Sequence, residues 1–417
     1  MPKQSRRSSY LGLGYLVLAV GVAVSTTNDA CAQTVFDQPF AAPVIGTSNP
    51  VSNPRRFSVV PSVRTAYDTN VLRNDALRGP RDNLRVTPGI DLDYQRTFGR
   101  VELGISGSAG YDFNSRFRFL NNSRIDVSGS ARAPVGSVCS ITAETSYNQR
   151  TFDPNDTQAS AGSTSTTQIY DVQANCSQRG GFTPVARFTH VSLEGNQASF
   201  FDYRQYTESV GLAYAQPSIG TVTLNATAMQ LRRPNFAELT GFNDNTDIYS
   251  IALSLDRSVA RRIQISASGG VTKADPRRAS APGFLGGSYN GQLTWSPNPR
   301  FAVTGSAVRQ VTSQQGISAT YVVVEAYRLT AGLRVSAKSS FNIRGSHTLR
   351  DFRGDDLIPT LQPIREDRTN TVSADYSYNL SRRLRMGLSV GHRRREADNP
   401  FFNYSSTVLS TSIGANF

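Results

Sequence analysis

The sequence has very few lysines and almost no long apolar runs. Of its 417 residues 38% are hydrophobic and 18% are charged. A polytopic helical membrane protein needs repeated runs of roughly 20 apolar residues, and this chain does not contain them. Lysine occurs only at positions 3, 273 and 338, so arginine supplies nearly all of the 44 cations. A general nucleic-acid binder mixes and clusters both basic residues, so these absences argue against a nucleic-acid partner. They do not exclude a membrane protein built from strands, since such strands alternate apolar and polar residues.

The N-terminus has the features of a secretory signal peptide. A positively charged start precedes an apolar run from Tyr10 to Val24, and Ala30-Cys31-Ala32 is a small-residue cleavage motif. We predict a signal peptide over residues 1–32, cleaved after Ala32, followed by a Pro- and Ser-rich periplasmic extension over residues 33–56. A membrane anchor helix is the alternative, but polar residues follow the apolar run at once.

From residue 57 onward, apolar and polar residues alternate with a period of two. Short turns recur about every 40 residues, which is roughly two membrane-crossing strands and a loop. Eight short turns and nine longer, more polar connections predict eighteen strands. The pattern indicates an all-β chain whose residues 57–417 form a single transmembrane antiparallel β-barrel, with short periplasmic turns and longer extracellular loops. A secreted all-β solenoid or adhesin is the alternative.

The alternation also assigns the two faces of each strand. Tyr327, Leu329 and Leu333 are predicted to face lipid, while Arg328 and Arg334 face the lumen. The last strand ends on Phe417, which resembles the C-terminal signal read by the barrel assembly machinery. We therefore expect a protein of the outer membrane of a Gram-negative bacterium, with that machinery, outer-membrane lipid and lipopolysaccharide as partners.

Two cysteines of the mature chain, Cys139 and Cys176, are placed symmetrically about the turns that flank their strands. This predicts that they lie opposite each other on adjacent strands, on the lipid side near the periplasmic rim. A cross-strand disulfide is the hypothesis, since the compartment is oxidising. Two unpaired thiols are the alternative.

Charged residues on the predicted lumen face divide between the two halves of the chain. The second half supplies arginines: Arg328, Arg334, Arg344, Arg350, Arg385, Arg393 and Arg395. The first half supplies acids: Asp91, Asp93, Glu102, Asp112, Asp126, Glu144 and Asp171. Two hypotheses fit this division: the basic and acidic walls pair across the bore, or the arginines form a ladder that guides anions.

One predicted turn indicates which of these arginines face each other on adjacent strands. Across Lys338 to Ser340, Arg334 is expected to face Arg344, and Arg328 to face Arg350. Such like-charge pairs are unfavourable, so they would require nearby acids, such as Asp375, or a passing anion. Arg277, Arg278 and Arg394 are expected to be solvated or to contact lipid phosphates.

The sequence contains no recognisable motif for catalysis or for a metal. The histidines are His190, His347 and His392, on three separate predicted strands, and neither a zinc-protease nor a serine-hydrolase motif is present. The sequence therefore predicts a protein that is not an enzyme and has no cofactor or metal site.

The first predicted hairpin resembles a known family. Tyr67-Asp68-Thr69-Asn70-Val71, then Asp82-Asn83 and Thr87-Pro88-Gly89-Ile90, are similar to the putative β-barrel porin 2 family and to the exopolysaccharide-associated, VpsM-like outer-membrane barrels. The motif covers about residues 57 to 97, whereas length and hairpin count agree over nearly all of the mature chain. The resemblance implies that the barrel carries polysaccharide out of the cell, with periplasmic polysaccharide-export components as further partners.

The sequence thus predicts a passive conduit, with export of an exopolysaccharide as its function. A general diffusion porin for small anions is one alternative. A structural or adhesive surface barrel with a blocked bore is another. The number of subunits is left open.

Overall fold

The computed structural model of the chain describes residues 55–151, 162–176, 180–196, 199, 202–260, 262–313, 319–354 and 363–415. The predicted signal peptide, nearly all of the predicted extension and Phe417 lie outside the described residues. The described part is a single antiparallel sheet of eighteen strands. The first nine strands are β1 (Arg55–Asp68), β2 (Asn83–Phe98), β3 (Val101–Asn114), β4 (Asn122–Val135), β5 (Cys139–Thr151), β6 (Thr164–Cys176), β7 (Gly181–Gly195), β8 (Tyr203–Gln216) and β9 (Gly220–Arg232).

The second half continues in the same way. Its strands are β10 (Thr246–Val259), β11 (Ile263–Pro276), β12 (Phe284–Asn298), β13 (Phe301–Thr312), β14 (Tyr321–Arg334), β15 (Ser339–Arg353), β16 (Glu366–Asn379), β17 (Leu384–Ala397) and β18 (Tyr404–Ala415). Helical structure in the described residues is limited to the seven-residue helix α1 (Pro234–Thr240) and two 3₁₀ turns, Arg118–Leu120 and Pro400–Phe402. No helix among the described residues has the length and apolar character needed to cross a membrane.

The sheet closes on itself. Each strand pairs with its sequence neighbours, and β1 also pairs with β18, from Ser62 opposite Gly414 to Asp68 opposite Val408. A bilayer offers no hydrogen-bond partner for an open strand edge, so a membrane-spanning sheet must close. The predicted closed antiparallel barrel of eighteen strands is confirmed.

The two ends of the barrel differ in the length of their connections. At one end, here the short-turn end, eight connections have two to four residues; at the other, the long-loop end, nine connections have six to fourteen. Local chemistry explains the tight turns. Asn298 accepts the backbone N–H groups of Arg300 and Phe301 at 2.9 and 3.0 Å, and Gly99 takes the left-handed conformation with φ +60°.

One predicted register is wrong. Thr330 lies opposite Arg344 and Arg334 opposite Ser340, while Arg328 lies opposite Ser346 and Val324 opposite Arg350. The turn lies closer to β14 than predicted because the side chain of Ser336 accepts the N–H of Lys338 at 3.1 Å and closes the chain over residues 335–338. The expected like-charge pairs Arg334–Arg344 and Arg328–Arg350 therefore do not form.

The outer face is apolar and the inner face is polar. Alternate side chains such as Ile251 (63% exposed) and Leu253 (56%) point outward, while inward neighbours on other strands, such as Thr189 and Ser410, are buried. A soluble protein has its apolar side chains inside instead. An apolar outer face is expected where that face contacts lipid. The predicted lipid stripe of Tyr327, Leu329 and Leu333 lies on the outer face.

Tyrosines near the long-loop end hydrogen-bond to polar groups that lie closer to the rim. Tyr147 donates to Gln149 at 3.0 Å and Tyr170 donates to Gln168 at 3.4 Å. At the opposite end Tyr214 donates to Gln216 at 3.3 Å. Each ring lies on the apolar band while its hydroxyl contacts a polar group, as aromatic residues do at a membrane interface. These tyrosines mark the two edges of the apolar band.

Candidate functional site

The lumen wall is the candidate functional surface, and the seven predicted arginines occupy it at different heights. Arg350, Arg393 and Arg395 lie near the long-loop end and are 1%, 4% and 1% exposed. Arg334 and Arg344 lie toward the short-turn end and are exposed. Arg328 and Arg385 are half-buried. The arginines are therefore not one continuous ladder.

The buried arginines form a compact ion cluster with Asp367. Arg350 donates through Nε and Nη2 to the two carboxylate oxygens at 2.8 and 2.6 Å, and Arg395 Nε donates to Oδ2 at 2.6 Å. The guanidinium groups also lie over the rings of Phe352 and Phe402, at 5.5 and 5.3 Å. Two cations on one fully buried carboxylate form a structural arrangement, because neither guanidinium is open to a passing solute.

The arginines at the opposite end are accessible. Arg344 lies 3.5 Å from Asp375, and its side chain is 54% exposed. This is the acid that the sequence predicted as a neighbour of the arginine wall. Asp375 is buried, with its side chain 12% exposed, but the guanidinium group of Arg344 is open to the lumen and is available to a solute there.

Three of the seven acids of the first half are paired with arginines on neighbouring strands. Arg187 Nε donates to Asp171 at 2.7 Å, Arg124 contacts Asp112 at 3.2 Å, and Arg64 contacts Asp91. Asp126 accepts from Asn148 at 2.7 Å. These contacts follow the wall from strand to strand rather than crossing the bore.

The remaining acids of this half have their positions set by the strand register. Glu102 lies opposite Arg132 across β3 and β4, and Asp93 lies opposite Ser58 and Ser106. Glu144 lies opposite Asp171, which places two carboxylates side by side. The Asp171 carboxylate is neutralised from the other direction by Arg187 and accepts a hydrogen bond from Thr189 at 2.5 Å.

A sector of the wall between β8 and β13 is nearly free of charge. Among the described inward-facing positions of these six strands, Asp256 is the only charged residue. The others are mainly hydroxyl, amide and small residues, joined by pairs such as Thr272–Ser288 at 2.9 Å and Thr294–Thr304 at 3.1 Å. We call this the neutral sector. In the sequence, the neutral sector is visible only as a lack of charged residues at alternate positions along these strands.

A second buried ion cluster ties the long loops together. Asp244 accepts from Arg233 at 3.3 Å and from the hydroxyl of Thr320 at 2.7 Å, and lies 3.4 Å from Arg278. Arg278 also contacts the carbonyl of Gly354. The expectation that Arg278 is solvated or bound to lipid is therefore wrong. The sequence could not place it, because its partners come from three other loops.

The loops also fold apolar residues inward at this end. Phe236 of α1 is fully buried, and Ile364 and Phe402 pack on inward residues of β13 and β14 such as Val308 and Val324. The long-loop mouth of the lumen is thus lined with packed protein rather than open loop ends.

Asp202 connects the loop before β8 to α1. Its carboxylate accepts from the backbone of Gly195 at 2.7 Å and from Asn235 at 2.9 Å. Burial raises the pKa of Asp202 to about 6, and the nearby charge of Glu194 acts in the same direction.

Cys139 and Cys176 lie opposite each other on β5 and β6 and are joined by a disulfide. Their Cα atoms are 3.9 Å apart. They sit at the short-turn end, where the bond fixes the two strands next to their connection.

Within the described residues, no group of three or more His, Cys, Asp or Glu side chains is arranged to hold a metal ion. The three histidines stay on separate strands. His190 stacks against Tyr206 with ring centroids 4.6 Å apart, His347 contacts Asn370, and His392 contacts Thr407.

Comparison with known proteins agrees with a porin-like barrel. The family model described as putative beta-barrel porin 2 matches residues 258–417, from the end of β10 to the C-terminus. The predicted resemblance to this family is confirmed, but in a different part of the chain from the hairpin on which it was based. No curated protein matches the chain.

Solved outer-membrane barrels have a similar arrangement. OccK2 (OpdF) of Pseudomonas aeruginosa, in complex with glucuronate, is 12% identical, with a TM-score of 0.48 over 87% of this chain and 98% of that chain. A BenF-like porin from Pseudomonas fluorescens Pf-5 is 12% identical, with a TM-score of 0.47 over 87% and 99%. OccAB3 of Acinetobacter baumannii is 10% identical, with a TM-score of 0.44 over 87% and 99%. The chain therefore resembles the porin family model over residues 258–417, and its described residues form a closed β-barrel of the outer-membrane type.

Proposed function

We propose that the barrel is a passive, non-catalytic conduit for a hydroxyl-rich solute, and that an exported exopolysaccharide strand is its cargo. The observation that carries the proposal is the neutral sector, which follows the lumen wall on six adjacent strands. Serine, threonine, asparagine and glutamine can exchange hydrogen bonds with sugar hydroxyls without a fixed charge that would hold the chain in place. Barrels of this strand number have room for an aqueous channel.

A conduit of this kind also needs partners at its two stages, insertion and export. The short-turn end faces the periplasm and receives the strand from periplasmic export components, while the barrel assembly machinery inserts the chain into the membrane.

Diffusion of small anions is the second candidate function. The exposed arginines Arg334 and Arg344 at the short-turn end favour it, since accessible cations in a lumen attract anions. The two functions make different demands on the neutral sector: a long glycan must contact it, whereas a small anion needs only the charged side.

A planar-bilayer recording separates the two. Single barrels are recorded before and after addition of a neutral polysaccharide, for the wild type and for Ser254→Arg with Ser268→Arg, which place two cations in the neutral sector. Export predicts a small basal conductance that the polysaccharide blocks, and a blocking constant weakened about tenfold by the paired substitution. The matched control is Thr142→Arg with Ser146→Arg on β5, outside the neutral sector.

A large, weakly selective conductance that polysaccharide does not block would favour the diffusion porin. In the cell, deletion of the gene should reduce secreted polysaccharide. An unchanged amount after deletion contradicts the export proposal.

A further inference from the structure

The rim at the short-turn end carries a run of positive charge on one side of the barrel. Four consecutive short turns, from the one after β10 to the one after β16, contain no acidic residue. Their described residues include five cations whose side chains are all exposed: Arg262, Arg300, Lys338, Arg382 and Arg383. We call these five residues the basic arc.

The other parts of the two rims do not share this excess. The described turns β4–β5 and β8–β9 contain no charged residue, and they expose Val138 (41%) and Ile219 (44%) instead. At the long-loop end exposed cations have acidic neighbours, as where Arg116 contacts Asp82. By contrast, no carboxylate in the described part of the chain forms an ion pair with a side chain of the basic arc. The charge of the arc is therefore not neutralised locally.

Two acids lie on the same strands near this end. Asp375 is 3.5 Å from Arg344, and this pair leaves no net charge. Asp256 is the fourth residue from the end of β10 and is half-buried, while Arg257 beside it adds a cation on the outer face. Asp256 offsets one positive charge at most, so the basic arc keeps a large positive excess.

The positive charge continues from the arc into the lumen. Arg334 is the last residue of β14, directly before the turn that contains Lys338, and Arg385 follows Arg383 by two residues. Both arginines point inward, on strands that lie three apart in the sheet. That separation is about 14 Å at an interstrand spacing of ~4.8 Å. Accessible Arg344 lies further up the same wall.

Two serine hydroxyls lie between these lumen arginines. Arg334 is opposite Ser340, and Ser340 is opposite Ser377, with the two hydroxyl oxygens 2.7 Å apart. Ser377 is in turn opposite Gly387, on the strand that carries Arg385. Hydroxyl groups exchange hydrogen bonds with sugar hydroxyls, and guanidinium groups bind carboxylates through two parallel hydrogen bonds. The entrance therefore presents cations and hydroxyls side by side.

We propose that the basic arc, with the lumen arginines above it, is the docking site of a polyanionic glycan at the periplasmic entrance, a sugar strand that carries carboxylate groups along its length. The inference rests on the proposed function and adds the charge of the cargo. The five cations attract the strand and raise its concentration at the mouth. The turns β10–β11 and β12–β13 lead directly to the neutral sector, where the strand meets few fixed charges.

The geometry favours a glycan over other anions. The head group of a membrane lipid stays on the outer side of the wall, whereas Arg334 and Arg385 point into the lumen. A small anion is satisfied by one or two cations and does not need a run over four turns. A strand with repeated carboxylates and hydroxyls matches the cations and the Ser340–Ser377 pair together.

The test removes charge from the arc without touching the strands. The arc variant carries four substitutions at exposed turn positions: Arg300→Gln, Lys338→Gln, Arg382→Gln and Arg383→Gln. Its matched control removes the same number of exposed cations at the long-loop end: Arg81→Gln, Arg118→Gln, Arg204→Gln and Arg365→Gln. All barrels are full-length, and heat-modifiable gel mobility establishes that each is folded.

The barrels are placed in nanodiscs of phosphatidylcholine, which has no net charge, and titrated with fluorescently labelled oligogalacturonate at low and high salt. Fluorescence anisotropy gives the dissociation constant. We expect the arc variant to bind about tenfold more weakly than wild type and with a smaller salt dependence, and the control to stay within about twofold. A neutral dextran of the same length should bind more weakly than oligogalacturonate, and equally to all three barrels.

Equal binding of oligogalacturonate by the arc variant and the wild type would overturn the proposal, as would equal affinity of the wild type for dextran and oligogalacturonate. If phosphatidylglycerol in the nanodisc abolishes binding, the arc contacts lipid head groups and the glycan site is wrong. If polyglutamate of equal charge binds more tightly than oligogalacturonate, the arc is a docking surface for an acidic protein instead.

Binding to the arc is measured without current through the barrel, so its failure is distinguishable from failure of the conduit. A barrel whose conductance is blocked by neutral polysaccharide, but whose arc does not bind oligogalacturonate, is a conduit for an uncharged glycan, and only the inference of a charged cargo fails. Arc-dependent binding together with unchanged secretion after gene deletion supports the anion site and contradicts export alone.

Discussion

The two ends of the barrel use the same residue, arginine, in opposite ways. At the long-loop end Arg350 and Arg395 are buried around Asp367, and they have a structural role. At the short-turn end Arg334 and Arg344 are exposed, and their guanidinium groups are open to the lumen. The difference shows that inward orientation does not by itself make a residue accessible from the lumen. Burial by loops and the presence of a counterion decide this instead.

The largest expected effect comes from removing the carboxylate that holds the long-loop cluster. Asp367→Ala leaves two buried guanidinium groups without their anion, and we expect it to lower the free energy of unfolding by about 3–5 kcal/mol. Urea-induced unfolding in lipid vesicles measures this. Asp375→Ala at the other end removes the partner of an exposed arginine, so its cost should stay below about 1 kcal/mol. An equal decrease in the free energy of unfolding for the two variants would contradict this distinction between the two ends.

The Cys139–Cys176 disulfide stabilises the short-turn end, whereas buried ion clusters stabilise the long-loop end. Replacing both Cys139 and Cys176 with serine should lower the free energy of unfolding by about 2–4 kcal/mol on a loop-entropy basis. Unfolding with and without reductant, in wild type and variant, provides the measurement. Reductant should not affect the variant. If it destabilises the variant as much as the wild type, the disulfide is not the source of the effect.

Ion selectivity should depend on the exposed arginines. Arg334→Gln with Arg344→Gln should shift the permeability ratio about two- to threefold toward cations, because two accessible positive charges leave the lumen. Reversal potentials in a salt gradient measure the shift. Arg257→Gln, at an exposed arginine on the outer face near the same end, is the control and should leave the ratio unchanged.

The smallest effect is a pH dependence confined to the long-loop end. Because the folded-state pKa of Asp202 is raised from 3.8 to about 6, its contribution to stability is fully present below about pH 4 and is lost as the pH rises through 6. After correction for intrinsic exchange, the protection of α1 and of the connection before β8 should therefore be greater at pH 5 than at pH 7. Asp202→Asn should abolish that change.

The loop between β1 and β2 is the internal control for this experiment. The pKa of Asp75 is lowered, chiefly by the backbone N–H of Arg78 that hydrogen-bonds to its carboxylate. Asp75 is then ionised throughout pH 5 to 7, so protection of its loop should not vary after correction for intrinsic exchange. A change of equal size in both loops would point to a general effect of pH.

Strand count, closure and the two faces could be predicted from the sequence, because period-two alternation and the spacing of turns are local properties. The position of the β14–β15 turn could not, since it is fixed by short-range hydrogen bonds of Ser336 with Lys338 and Ser339 that alternation does not encode. The burial of Arg278 also escaped prediction, because Asp244, Thr320 and Gly354 reach it from loops far apart in the chain.

By itself, then, the sequence determined that the chain forms an eighteen-stranded barrel with an apolar exterior, since each strand carries that information in its own alternation. The burial of some lumen arginines and the place of the neutral sector are set by the tertiary structure alone. The buried arginine cluster is formed by residues of three strands, and the neutral sector by residues of six. Their proximity depends on register and on the tilt of the closed sheet, which no single strand encodes.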